Sequence, residues 1–175
     1  MGIKAKLTAG GCTIAVVIAS FFAQVGEESK LSQEGLMHIL ECEDCSLKSY
    51  RDIAGVPTIG MGSTKGVTMG MVISNGEAGK RAAKDILDAE MCFRKRVKVD
   101  VTQGEYDGWV SFIINKGCGG FAGSTGLKLL NSGKHLQACK AMLMWDKITV
   151  NGKKVYSKGV YNRSLKDSKL CAKQL

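Results

Sequence analysis

Two carboxylates and a hydroxyl stand at a chemically suggestive spacing in the first third of this chain: Glu43, Asp52 nine residues on, and Thr58 six further. Cleavage of a glycosidic bond requires a carboxylic acid to protonate the leaving oxygen and a second carboxylate to direct the attack. Glu43 also lies inside Cys42-Glu43-Asp44-Cys45, where two flanking thiols can be bridged around the acid. The residues describe a hydrolytic pair with a redox catch beside it.

The surrounding pattern says which elements position them. Ser32 is an N-cap candidate, and Leu36, Ile39, Leu40 and Glu43 follow at helical spacing. Glu43 therefore continues an apolar face, and an inward carboxylate loses solvation, which favours the protonated form a general acid needs. Residues 55–63 hold glycines at 55, 60 and 62 with Val56, Thr58 and Ile59 between them, a pattern of twisted strands and turns. Asp52 enters this patch and Thr58 sits on it.

Ser74-Asn-Gly-Glu77 and Thr102-Gln-Gly-Glu105 both match the capping box. The first predicts a helix to about Val97, the second a helix through Trp109, Val110, Phe112 and Ile113 that stops at Gly117. Residues 127–130, 136–145 and 160–171 suggest three more helices, and residues 149–155 a hairpin turning at Asn151-Gly152. The fold expected is α+β and mostly helical, with a small sheet lobe and a larger helical lobe.

Composition narrows the partners. The 175 residues suit one domain with a short appendage, and 45% apolar with 23% charged residues is ordinary globular composition. A net charge of +9 favours anionic partners. Nucleic acid is excluded as the expected partner, because none of the eleven aromatic residues interleaves the basic run Arg94-Lys95-Arg96 with Lys98. That run suits a solvated helix end.

Seven cysteines (12, 42, 45, 92, 118, 139 and 171) supply only one closely spaced pair, so no zinc site is expected, nor any other metal or cofactor. Disulfides in an oxidising compartment account for them better, and an odd count leaves a thiol free for exchange. Cys139 with Cys171 and Cys92 with Cys118 are candidate pairs, although spacing alone fixes no connectivity.

The N-terminus offers a route to such a compartment. Lys4 and Lys6 precede an uncharged stretch from Leu7 to Gly26, closed by Glu27 and Glu28. Its twenty residues would rise about 30 Å as a helix, roughly one hydrocarbon core. The positive-inside rule leaves the lysines in the cytoplasm and the body outside. Thr8, Gly10, Gly11, Thr13, Ser20 and Gln24 weaken the span, so the segment can also leave the bilayer and pack as a soluble helix. A cleaved signal peptide is the competing reading, but no clean small-x-small site precedes Glu27.

With these residues in view, a resemblance emerges. EDCSLKSYRDIAGVPTIGMGST (43–64) is similar to the signature of phage-type lysozymes, glycoside hydrolase family 24, in which Glu, Asp and Thr at this spacing form the active centre. TQGEYDGWVSFIINKGCGGFAGSTGLKLLN (102–131) resembles the family's cleft-lining region, and KGVYNRSLKD (158–167) its C-terminal helix. Asp44 stands where the family has Gly, and Ser164 where it has a second arginine.

The resemblance implies a two-lobed lysozyme fold and hydrolysis of the β-1,4 bond between N-acetylmuramic acid and N-acetylglucosamine. Catalysis would fall to Glu43, Asp52 and Thr58, and substrate binding to Asn115, Gly117, Ser124, Thr125 and Arg163. An Asp with a neighbouring Thr favours water attack and inversion if the carboxyls stand about 6.5–9.5 Å apart. A non-catalytic, membrane-tethered peptidoglycan-binding module is the competing reading, and it would lack one of the triad.

The uncleaved weak span resembles that of signal-arrest-release endolysins. Residues 1–28 would then be the release segment and 29–175 the catalytic domain, acting as a monomer. The implied partners are peptidoglycan, the host secretion machinery and the inner membrane, with later release to the periplasm. The regulatory cysteines expected are Cys12, Cys42 and Cys45: a Cys42–Cys45 bridge distorts the site around Glu43, and Cys12, once out of the lipid, attacks it and pairs with one of the two.

Overall fold

The computed structural model describes residues 11–43, 45–52, 55–150 and 152–175. They form α1 (Ile14–Val25), α2 (Gln33–Cys42), β1 (Ser46–Arg51), β2 (Pro57–Gly60), α3 (Asn75–Arg96), α4 (Gln103–Ala122), α5 (Thr125–Leu130), α6 (His135–Ala141), a 3-10 turn (Met142–Met144), β3 (Lys147–Val150), β4 (Lys153–Tyr156) and α7 (Lys158–Cys171). The chain divides into two compact units, one of residues up to Lys30 with Met37–Asp88 and one of Leu31–Leu36 with Ala89–Leu175. Of the three divisions, one precedes α2 and the other two fall inside α2 and α3.

In the first unit, α1 buries Ile14, Val17, Ile18, Phe21 and Val25 as one stripe at helical spacing. It sits directly on α3, where a Cβ at Gly79 would come within 2.6 Å of the Val17 carbonyl and the Ser20 side chain. Only glycine allows that approach. Asn75 Oδ1 accepts from the Thr13 N–H at 2.7 Å and fixes the entry to the helix. At twelve residues α1 is shorter than the stretch from Leu7, whose first part lies outside the described residues. Among the described residues no helix is long and apolar enough to cross a membrane.

Strands β1 and β2 pair antiparallel, with Tyr50 opposite Thr58 and Arg51 opposite Pro57. β1 is a strand the sequence reading left unassigned, because Ser, Lys and Arg outnumber its apolar positions. It gains its structure from partners: Leu47 O and Ser49 N–H also bond Ile73 and Met71. Past β2 the chain turns tightly, with Ile59 and Ser63 exchanging backbone hydrogen bonds of 2.9 and 3.1 Å. Ser63 Oγ donates to Asp85 of α3 and pins this turn.

The second unit is built on α4. Trp109, Val110, Phe112 and Phe121 are fully buried, each large side chain contributing about 1.5–3 kcal/mol of burial. Trp109 meets Phe112 edge-on at 5.4 Å, and Phe93 stacks with Phe121 at 6.1 Å. Thr102 and Glu105 form the expected capping box. The helix breaks at Gly117 (φ 74°, ψ 160°), as its sequence predicts, and then resumes, which the sequence reading missed. Gly108 lets α7 pack at close range, since a Cβ there would lie 2.7 Å from Cys171.

Disulfides Cys92–Cys118 and Cys139–Cys171 tie these helices, matching both candidate pairs. The start of α2 is held here too. Ser32 Oγ accepts from the Gly35 N–H as an N-cap and donates to Asp107, whose other oxygen accepts from the Ser32 N–H.

Candidate active site

Glu43 follows immediately on α2, its N–H still bonded to the Ile39 carbonyl at 3.0 Å. The helix thus delivers the acid at its C-terminal end, partly buried, as the apolar spacing predicts. Its Oε2 lies over the turn after β2, 3.5 Å from where a Cβ at Gly62 would stand. Gly62 has φ 83°, so the tight turn needs glycine there.

Asp52 ends β1 and shapes the loop that follows. Its Oδ1 accepts from the Val56 N–H at 2.8 Å, and its own N–H donates to the Val56 carbonyl at 3.0 Å. Thr58 on β2 is 2% exposed, with Oγ1 donating to the Val56 carbonyl at 3.0 Å. Asp52 and Thr58 thus converge on one residue, Val56, and their geometry is set by a single short hairpin. The three predicted catalytic residues all belong to the first unit.

Cys45 opens β1 and is bonded to Cys12, with the Cα atoms 5.8 Å apart. Cys42 carries a free thiol, with His38 Nε2 at 3.9 Å. The short bridge that would enclose Glu43 is therefore open, and Cys12 has taken Cys45 rather than Cys42. Among the described residues no cluster of His, Cys, Asp or Glu gathers to hold a metal ion.

The residues expected to bind substrate lie in the second unit. Asn115 and Gly117 are exposed at the break in α4. Ser124 is buried and caps α5, its Oγ accepting from the Leu127 N–H at 3.0 Å, while Thr125 beside it is exposed. Arg163 is held inward: its Nε meets Asp167 at 3.3 Å and its Nη2 donates to Ser111 Oγ at 3.1 Å, with Ser111 and Asp167 fully buried. The arginine is a fixed cation on a buried carboxylate. Lys116 is close enough to feel both, and burial pushes its amine below the usual lysine range.

Ser124 and Thr125 share a cavity of about 420 Å³ with Gly123, Met144, Trp145, Lys147 and Lys154. The sequence reading singled out neither lysine.

A carboxylate at a helix end over a glycine turn, with an Asp and a Thr on the hairpin of the same unit, is the arrangement expected of a glycoside hydrolase of the lysozyme class. Comparisons with known proteins agree. The family model described as "Phage lysozyme" matches residues 40–167. A SAR-endolysin of Pseudomonas phage phiKMV is 36% identical over 78% of this chain and 84% of its own length. An endolysin from Escherichia coli O157:H7 phage FAHEc1 superposes with a TM-score of 0.77 at 36% identity, covering 84% of this chain and 96% of that one. The active form of the P1 phage endolysin Lyz superposes at 0.79 with 26% identity, covering 93% and 94%. This chain belongs to the phage lysozyme family.

Proposed function

We propose that this lysozyme is an endolysin exported in a silent, membrane-tethered form and switched on when its N-terminal segment leaves the membrane. Residues 1–28 are the release segment and 29–175 the catalytic domain. The observation that carries this reading is the sulfur arrangement, in which Cys12 of the N-terminal segment is bonded to Cys45 while Cys42 is free. The P1 Lyz structure to which it is similar is that of the active form.

Hydrolysis of peptidoglycan follows from the site. Glu43 protonates the glycosidic oxygen as the leaving sugar departs. Asp52 orients and deprotonates a water, and Thr58 fixes that water from the floor of the hairpin. The water attacks the opposite face of the sugar ring, giving inversion. Switching is thiol–disulfide exchange: the Cys12 thiolate attacks Cys45 of a Cys42–Cys45 bridge, the Cys12–Cys45 bond forms, and Cys42 leaves as a thiolate that takes up a proton. No outside oxidant or reductant is consumed. Before release, apolar surroundings keep Cys12 a protonated thiol out of reach. The secretion machinery and inner membrane of the host are the partners of the silent form, and the periplasm is the place of action.

Two single variants test the scheme together. Cys12→Ser should give a protein that is released yet fails to lyse cells, whereas Cys42→Ser keeps the Cys12–Cys45 pair and should lyse them early. Normal lysis timing by Cys12→Ser would sink the exchange.

A further inference from the structure

We propose that His38 is the proton donor of the sulfur switch: its imidazolium protonates Cys42 as that sulfur is expelled, and so decides which sulfur leaves. This rests on the exchange reading above and names the residue that drives it.

The first argument is position. His38 and Cys42 stand four residues apart on α2, hence one above the other on one face of the helix. His38 Nε2 lies 3.9 Å from Cys42 Sγ, within reach of a hydrogen bond to the large sulfur atom. The arrangement of sulfurs, Cys12 bonded to Cys45 with Cys42 free, is the product side of the exchange. The expelled sulfur therefore comes to rest beside an imidazole, the side chain whose ordinary titration lets it give and recover a proton near neutral pH.

The second argument is charge. Cys42 is the last residue of α2, at the negative end of the helix dipole. The last turn carries no basic residue, and in sequence the cysteine stands between Glu41 and Glu43-Asp44. Negative charge building on its sulfur is opposed on each of these counts, and a poorly stabilised thiolate leaves slowly. A donor one helical turn back removes the difficulty by turning the departing sulfur into a neutral thiol.

The third argument is the direction of the exchange. Cys12 can attack either sulfur of a Cys42–Cys45 bridge, and Cys45 is the one it holds. Attack at Cys42 would expel Cys45, which is 1% exposed, and would strand its charge away from water. Attack at Cys45 expels Cys42, half-buried and in contact with the imidazole. The route taken is the one with an acid at its exit. In that step the Cys12 thiol gives its proton to water, the Cys12–Cys45 bond forms as the Cys42–Cys45 bond breaks, the Nε2 proton passes to Cys42, and solvent reprotonates the imidazole.

The test follows the full-length, membrane-tethered chain after a mild detergent frees its N-terminal segment. Thiols are trapped at intervals with an alkylating reagent, and the disulfides are mapped by peptide mass. His38→Gln keeps a neutral hydrogen-bond donor that cannot give up its proton, and should slow formation of Cys12–Cys45 about tenfold or more, the scale of a hydrogen bond to a charged group. His38→Lys restores a cation and should recover part of that loss, which a purely structural role for His38 would not. Once exchange is complete, both variants should hydrolyse murein within about twofold of the parent. Exchange by His38→Gln at the parent rate, equal slowing in the two variants, or a matching loss of hydrolysis by the exchanged enzyme overturns the proposal. If instead the parent holds no Cys42–Cys45 bridge before release, or forms no Cys12–Cys45 bond after it, the exchange reading itself falls.

Discussion

The two units of this molecule use cysteine in opposite ways. In the second, Cys92–Cys118 and Cys139–Cys171 join helices to helices around an aromatic core, and the unit holds no free thiol to disturb them. In the first, Cys12–Cys45 joins the segment before α1 to the residue ahead of β1, and Cys42, three residues away in sequence, carries a free thiol. A disulfide with no competitor is a staple. One with a free thiol nearby can be exchanged, which is what the proposed switch requires.

The largest expected effect checks that the switch has something to switch. Glu43→Gln removes the proposed proton donor and should lower murein hydrolysis by about 10²–10⁴-fold, the usual contribution of general acid catalysis. Turbidity loss of sacculi measures it, with unchanged thermal unfolding as the control. The next sharpens the contrast between the two units: Cys139→Ser with Cys171→Ser should cost about 2–5 kcal/mol of stability while leaving the dependence of lysis on Cys12 unchanged. Denaturant unfolding and a lysis curve read the two effects separately.

The smallest effect concerns Asp85, which pins the turn beneath Glu43 through Ser63. Burial, aided by the nearby Asp88 charge, holds its pKa above the usual carboxylate range against the opposing pull of the Ser63 hydrogen bond, Arg81 and Lys84. Between the unfolded and folded pKa the native state binds a proton that the unfolded chain does not, so this group's contribution to stability falls as pH rises through that window. Asp85→Asn abolishes that dependence. The melting temperature of the variant relative to the parent should therefore climb from acid to neutral pH, and a flat difference would show that Asp85 is not the buried acid described.

Much of this site was legible because it is local. Glu43, Asp52 and Thr58 lie within one helix end and one hairpin, and the capping residues Ser32 and Thr102 announced their helices by side-chain chemistry. What escaped depends on distant partners. β1 is a strand because Ile73 and Met71 bond it, not because its own residues prefer to be one. Ser32 is held by Asp107, 75 positions away, and no short-range pattern links them. Arg163 was legible as a cation on the C-terminal helix, but its clamp by Ser111 and Asp167 was not. Lys147 and Lys154 face one recess only once the hairpin register is known.

The notch at Gly79 carries a consequence for the N-terminal segment. Because the groove offered by α3 has no side chain at that point, α1 has a seat shaped for it, and under the release proposed above the same stripe of Val17, Ile18 and Phe21 would meet two hosts in turn, hydrocarbon first and protein later. Selection on those residues is then double-sided. On that proposal a greasier leader would linger in the lipid, and a bulkier one would find its dock shut, so the interval before lysis would depend partly on a position far outside the leader itself.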